Sequence, residues 1–188
     1  ANTLYWLSKA LVRSGVEVTV ITTNNYIDSK DIEFDKWIEI DGIRVRYCTT
    51  RSKLSFKVIW YSLKEVKKND FILFSSICYL PNFFILLYSL LFKSNIIWSP
   101  RGELFDSALK GNKFKLLYFR ILKCLARRKV IFHATSEEEK SCILKYFPNF
   151  HVVVIPNYME LPLKVNRKVS NIPYLLYVGR IAPIKALD

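Results

Sequence analysis

Residues Val130–Ile155 read VIFHATSEEEKSCILKYFPNFHVVVI, and their reading decides the fold. Val130–Thr135 is a short apolar run with the length of a buried strand. Ser136 offers its hydroxyl as a helix N-cap, and Glu139 stands at the third helical position, the pattern of a capping box. Glu137, Glu138 and Glu139 together favour the positive end of the helix dipole. The helix continues to Phe147, and Val152–Ile155 is a second apolar strand. The same alternation extends upstream. Leu4, Leu7, Leu11 and Val12 recur at helical spacing, with Gly15 as the C-terminal stop. Val16–Thr23 is a β-branched strand, and Ile43–Thr49 alternates after the turn Asp41-Gly42. Phe56–Lys67 reads as a helix, Asp70–Ser75 as a short strand, Asn95–Ser99 as a strand ended by Pro100, and Phe114–Lys129 as a basic helix. Such alternation predicts an α/β fold, a parallel sheet with helices on both faces.

The chain has 188 residues, 51% hydrophobic and 24% charged, which excludes a disordered polymer. Pro81–Phe92 is almost wholly apolar, but a membrane span needs about 20 such residues. A helix buried against the sheet is therefore expected there. The net charge of +13 calls for an anionic partner: nucleotide, nucleic acid, phospholipid surface or phosphorylated acceptor. A solvated basic surface is the plainer alternative. Cys48, Cys78, Cys124 and Cys142 are far apart and form no C-x-x-C pair. Reduced, buried thiols are expected, and no metal site.

Several segments are placed to carry chemistry. Tyr174–Val178 reads as a strand running into Gly179-Arg180, a proline turn and then Lys185 at the start of a helix. Two cations at a strand's carboxyl end, beside a helix N-terminus, suit a diphosphate. Ser99-Pro100-Arg101-Gly102 also lies at a strand end. Arg101 can present a bidentate fork to phosphate or carboxylate, or it can pair with Glu103 or Asp106 and only hold the loop. Ile155-Pro156-Asn157-Tyr158 is a turn by default, with Asn157 as a candidate ligand contact. His133 beside an apolar strand reads as a satisfied core residue. In the basic helix, Phe114, Leu117, Ile121 and Leu125 form one stripe and Arg120, Lys123 and Arg127 another. The first stripe is expected to pack and the second to face solvent, with weak contact to an anionic membrane as the alternative. The aromatics fall on the apolar stripe and not among the cations, which argues against nucleic acid as a partner.

Taken together, LSKALVRSGVEVTVITT, WSPRGEL, HATSEEEK, VIPN and YVGRIAPIK resemble, in that order, the family 4 retaining glycosyltransferases. The resemblance implies a two-domain GT-B fold with Rossmann-like halves. Residues 1–163 correspond to the acceptor-side domain, incomplete at its start. Residues 164–188 correspond to a linker and the first strand and turn of the donor-binding domain. The chain is thus expected to be a fragment truncated at both ends and inactive alone. Its upstream glycine-rich loop and downstream E-x(7)-E pair fall outside the sequence.

The resemblance further implies a nucleotide-diphospho-sugar as donor, a glycan or lipid-linked acceptor, and no metal or other cofactor. Arg180 and Lys185 match the V-G-R-x(4)-K pattern whose cations contact the donor diphosphate and assist its departure, so they are the catalytic candidates. Ser99, Arg101, Gly102 and Asn157 are the candidates for the acceptor or cleft loops. Ala186 and Tyr158 depart from the glycines usual at those places. Many relatives carry a histidine in the loop after Ser99; Ser-Pro-Arg-Gly stands here, and no catalytic histidine is assigned. The implied setting is bacterial surface polysaccharide or lipopolysaccharide synthesis, in the cytoplasm or peripheral on the inner face of the membrane. A non-catalytic anion- or membrane-binding module derived from such a domain is the alternative.

Overall fold

The structure, a computed structural model, describes residues 2–160 apart from 26, 28–31, 53, 93, 110–112 and 127–129. The linker and strand expected within 164–178, with Arg180 and Lys185, lie outside the described residues. The chain opens with α1 (Asn2–Arg13), then β1 (Thr19–Thr23), β2 (Trp37–Ile40), β3 (Ile43–Cys48) and α2 (Phe56–Val66). It continues with β4 (Phe71–Ser75), α3 (Leu80–Ser89), β5 (Asn95–Ser99), α4 (Asp106–Leu109) and α5 (Lys113–Ala126). β6 (Val130–Ala134), α6 (Glu137–Tyr146) and β7 (His151–Val154) follow. The α/β expectation holds: helices flank parallel strands in an arrangement consistent with a Rossmann-like layout.

The described strands form two hydrogen-bonded ladders and not one sheet. The first has the order β1-β3-β2 and the second the order β4-β5-β6-β7. All pairs in the second are parallel, whereas β2 runs antiparallel to β3. β2 has no counterpart in the sequence reading. It is a hairpin partner made by the Asp41-Gly42 turn, with φ of 51° and 77° at the two residues, the left-handed pair that a two-residue hairpin requires. Arg44 and Arg46 then stack over the Trp37 ring at 3.9 and 4.5 Å from its centroid, a cation–π contact across the hairpin.

α1 ends as expected at Gly15. The Gly15 amide donates to the Val12 carbonyl and the Val16 amide to the Leu11 carbonyl, both at 3.0 Å. These are the two bonds of a Schellman cap, and β1 starts at Thr19 and not at Val16. α2 begins at Ser55, whose hydroxyl accepts from the Val58 amide.

The main core lies around β4–β7. Trp98 and Phe132 project from the sheet into Ile85 and Leu86 of α3, Phe119 and Leu122 of α5, and Ile143 and Phe147 near α6. Each such side chain contributes about 1.5–3 kcal/mol by leaving water. The Trp98 indole N–H is satisfied by the Ser76 carbonyl at 3.0 Å.

The packing of α5 overturns one expectation. Phe119, Leu122 and Ala126 face the core, while Phe114, Leu117 and Ile121 are exposed. The helix is apolar on two sides, and Phe119, Leu122 and Ala126 are the side that joins the core cluster of Trp98 and Phe132. The same rotation exposes Cys124, and Cys78 is exposed too, so of the four thiols expected to be buried only Cys48 is fully so. Burial pushes the Cys48 thiol up to about 11.

Both Gly15 and Gly42 hold positive φ, but a Cβ at Gly42 would meet Val12 Cγ1 at 3.0 Å, whereas one at Gly15 meets open space. Gly15→Ala is expected to cost only the left-handed backbone penalty, about 1–2 kcal/mol. Gly42→Ala should cost distinctly more. Urea unfolding midpoints of the two variants check the order.

Candidate functional site

β5, β6 and β7 end side by side, and ligands of parallel α/β sheets gather at such carboxyl ends. After β5, Pro100 cannot extend the ladder. Arg101 and Gly102 both turn through the left-handed region, at φ 57° and 78°. For arginine that conformation is strained, and such strain concentrates at functional positions. The loop is held by Glu139 from the first turn of α6. One carboxylate oxygen accepts from the Gly102 amide at 2.6 Å. The other accepts from the Thr135 amide and the Thr135 hydroxyl, each at 2.7 Å.

Ser136 caps α6 as expected, its hydroxyl accepting from the Glu139 amide at 3.2 Å. The reciprocal half of the capping box is replaced. Glu139 turns to Thr135 and Gly102 and not to the Ser136 amide, because the left-handed turn at Arg101-Gly102 presents an amide directly to it. Glu103 acts in the same way at the neighbouring strand end. It accepts from the Ser76 hydroxyl at 2.7 Å and from the Ile77 and Cys78 amides at 2.6 and 2.9 Å.

These bonds decide between the two readings of Arg101. Glu103 is committed to the β4–α3 loop, and Asp106 pairs with Lys145 at 2.8 Å. Arg101 pairs with neither. Its Nη1 donates to Asn157 Oδ1 at 2.8 Å, while Nε and Nη2 are buried with no hydrogen-bond partner among the described residues. Burial pushes the guanidinium below its ordinary value, and the charge of Glu139 offsets some of that effect.

A pocket of about 330 Å³ opens here. Arg101, Gly102, Thr135, Glu139 and Asn157 line it. Phe105 and Thr3, the latter from the first turn of α1, complete the lining. Three residues expected at the cleft are thus brought together: Arg101, Gly102 and Asn157. Ser99 is placed beneath them with no exposed surface. Its hydroxyl lies 3.2 Å from His133 Nδ1, and His133 Nε2 lies 2.8 Å from the Ile155 carbonyl. A carbonyl only accepts, so Nε2 carries the proton and Ser99 donates to Nδ1. His133 is the satisfied core residue expected of it, and Ser99 braces it under the pocket floor.

Thr3, Phe105, Thr135 and Glu139 were not foreseen as lining residues. Thr135 and Glu139 carry a signal in the cap motif; Thr3 and Phe105 carry none. Among the described residues no group of three His, Cys, Asp or Glu is placed to hold a metal ion. No helix among them is long and apolar enough to cross a membrane. No family model, curated protein or solved structure matches the chain.

Glu139→Ala leaves the Gly102 and Thr135 amides without acceptors, an expected loss of about 2–4 kcal/mol. Glu139→Gln keeps one acceptor oxygen and sets an NH₂ group against an N–H donor, so it should lose at least half as much. Glu138→Ala, on the exposed side of the same turn, is expected to stay within about 0.5 kcal/mol of the parent. Denaturant titration of the three variants checks this.

Proposed function

We propose that this chain is the acceptor-side portion of a retaining glycosyltransferase of the GT-B type. In this reading the whole protein moves a sugar from a nucleotide-diphospho-sugar to a glycan or lipid-linked acceptor. One observation carries the reading: the Arg101 guanidinium is held at the pocket with Nε and Nη2 unpartnered among the described residues. Buried N–H groups of this kind are costly until a ligand supplies acceptors. The rest of the lining suits a sugar. Hydroxyl groups both donate and accept, and the pocket offers donors on Arg101 and Asn157 and acceptors on Glu139 and on Thr135, whose own hydroxyl proton goes to Glu139. Phe105 adds a flat apolar surface for the C–H face of a pyranose. The ordered motifs WSPRGEL, HATSEEEK, VIPN and YVGRIAPIK support the same family.

The chemistry follows from the charges. The acceptor hydroxyl, placed by Arg101 and Asn157, attacks the anomeric carbon from the face that the diphosphate leaves. The bond from that carbon to the diphosphate oxygen breaks, the glycosidic bond forms, and the hydroxyl proton passes to the departing phosphate oxygen. Arg180 and Lys185 hold the charge that develops on that diphosphate, an electrostatic contribution that needs no metal. Surface polysaccharide or lipopolysaccharide synthesis on the cytoplasmic side of a bacterial membrane is the proposed setting.

The test is release of nucleoside diphosphate by the complete protein, given a panel of nucleotide-sugars with glycan and lipid-linked acceptors. Arg180→Ala and Lys185→Ala are each expected to lower kcat by about 10²–10³-fold. Arg101→Ala should act mainly on the acceptor KM, with partial rescue in Arg101→Lys. A complete protein that neither binds nor turns over any nucleotide-sugar would sink the reading.

A further inference from the structure

Three neighbouring helices keep large apolar side chains in solvent. α2 and α3 pack along each other, and α3 meets α5 through the Phe83 and Tyr118 rings, 5.9 Å apart. On α2 the outward residues are Phe56, 74% exposed, and Trp60, 60% exposed, one turn apart. On α3, Leu80, Phe84 and Leu87 recur at helical spacing on the side away from the core, and Leu91 just beyond the helix is 77% exposed. On α5, Leu117 and Ile121 continue the surface. Each of these residues lies opposite its helix's buried positions, so together they form one layer's outer face. Soluble chains seldom leave so many neighbouring apolar side chains uncovered unless something binds there.

The charges on this face identify what covers it. α3 contains no charged residue, and α5 is basic without a single Asp or Glu. Glu65 is the one acidic residue in the three helices, and it is tied to Arg44 at 3.6 Å and Lys68 at 3.0 Å. Lys64 lies 4.7 Å from the centroid of the Trp60 ring, and Lys67 lies 4.5 Å from that of Phe92. Arg120, exposed, flanks the apolar stripe of α5. Aromatic and aliphatic side chains fringed by cations, with no free carboxylate in these helices, match the boundary of an anionic bilayer. A second copy of the chain docking face to face would set cations against cations.

We propose that the outer face of α2, α3 and α5 docks on an anionic lipid bilayer. The apolar side chains enter the headgroup boundary, while Lys64, Lys67 and Arg120 meet lipid phosphates. These helices lie on the membrane and do not span it. This inference stands independently of the glycosyltransferase reading.

Co-sedimentation of the purified chain with vesicles of phosphatidylglycerol and phosphatidylcholine in equal parts tests it. Binding is expected to these vesicles and to be much weaker to phosphatidylcholine alone. Leu117→Ser/Ile121→Ser should reduce partitioning about tenfold or more. Arg120→Gln should reduce it about fivefold and flatten its salt dependence. All three positions lie outside the core, and circular dichroism verifies that the variants fold. Absence of vesicle binding overturns the proposal, as does binding that ignores both kinds of variant. So does light scattering that shows a dimer split by the apolar variant while vesicle binding is unchanged.

Discussion

A single buried carboxylate joins the ends of two central strands. Glu139, 2% exposed, takes hydrogen bonds from the loop after β5 and from the turn after β6, and none of its bonds within the described residues is to a cation. A carboxyl group so buried is tolerable only because amide and hydroxyl dipoles replace the water it gave up. The arrangement works in both directions. The carboxylate needs the left-handed turn at Arg101-Gly102 to receive an amide, and that turn needs the carboxylate to offset its strain. Glu103 repeats the device between β4 and β5, so adjacent strand ends are fastened laterally by glutamates reading backbone.

That lateral fastening frees Arg101. Had Glu103 or Asp106 neutralised it, the guanidinium would be a structural brace and the pocket would be lined by a closed ion pair. Both carboxylates are engaged elsewhere, so Arg101 keeps only Asn157 among the described residues and two N–H directions remain for a ligand. Asn157 in turn sits where β7 has stopped at Pro156, and His133 holds that stop from below through the Ile155 carbonyl. The residues that define the pocket are therefore few, while those that define the residues are buried and polar: Ser99, His133 and Glu139.

Much of the fold was legible in the sequence because its signals are local. The Gly15 stop, the Ser136 cap and the apolar runs of β5 and β6 each follow from residues within one turn or one strand. What was illegible depended on a choice between equivalent local options. α5 is apolar on two sides, and periodicity identifies a helix without saying which side the sheet will take. β2 is four residues long with a glutamate inside it, too short to register although its turn, Asp41-Gly42, was evident. For the site, Arg101, Gly102 and Asn157 stood out because they follow strands. Glu139 was visible only as a cap, since its bond to Gly102 joins residues far apart in sequence, and Phe105 and Thr3 reach the pocket by folding alone.

The strand order β4-β5-β6-β7 has a consequence for how the molecule is made. Sequence order and spatial order coincide, so each new strand finds its template in the strand synthesised just before it. Each addition closes one short crossover and covers the edge that the previous step left open. A ribosome delivering this chain would extend the sheet in the direction of translation, with no strand obliged to wait for a distant partner. The glutamates at the strand ends arrive in step with that growth. Glu103 fastens the loop behind it as soon as β5 docks, and Glu139 does the same once β6 is in place.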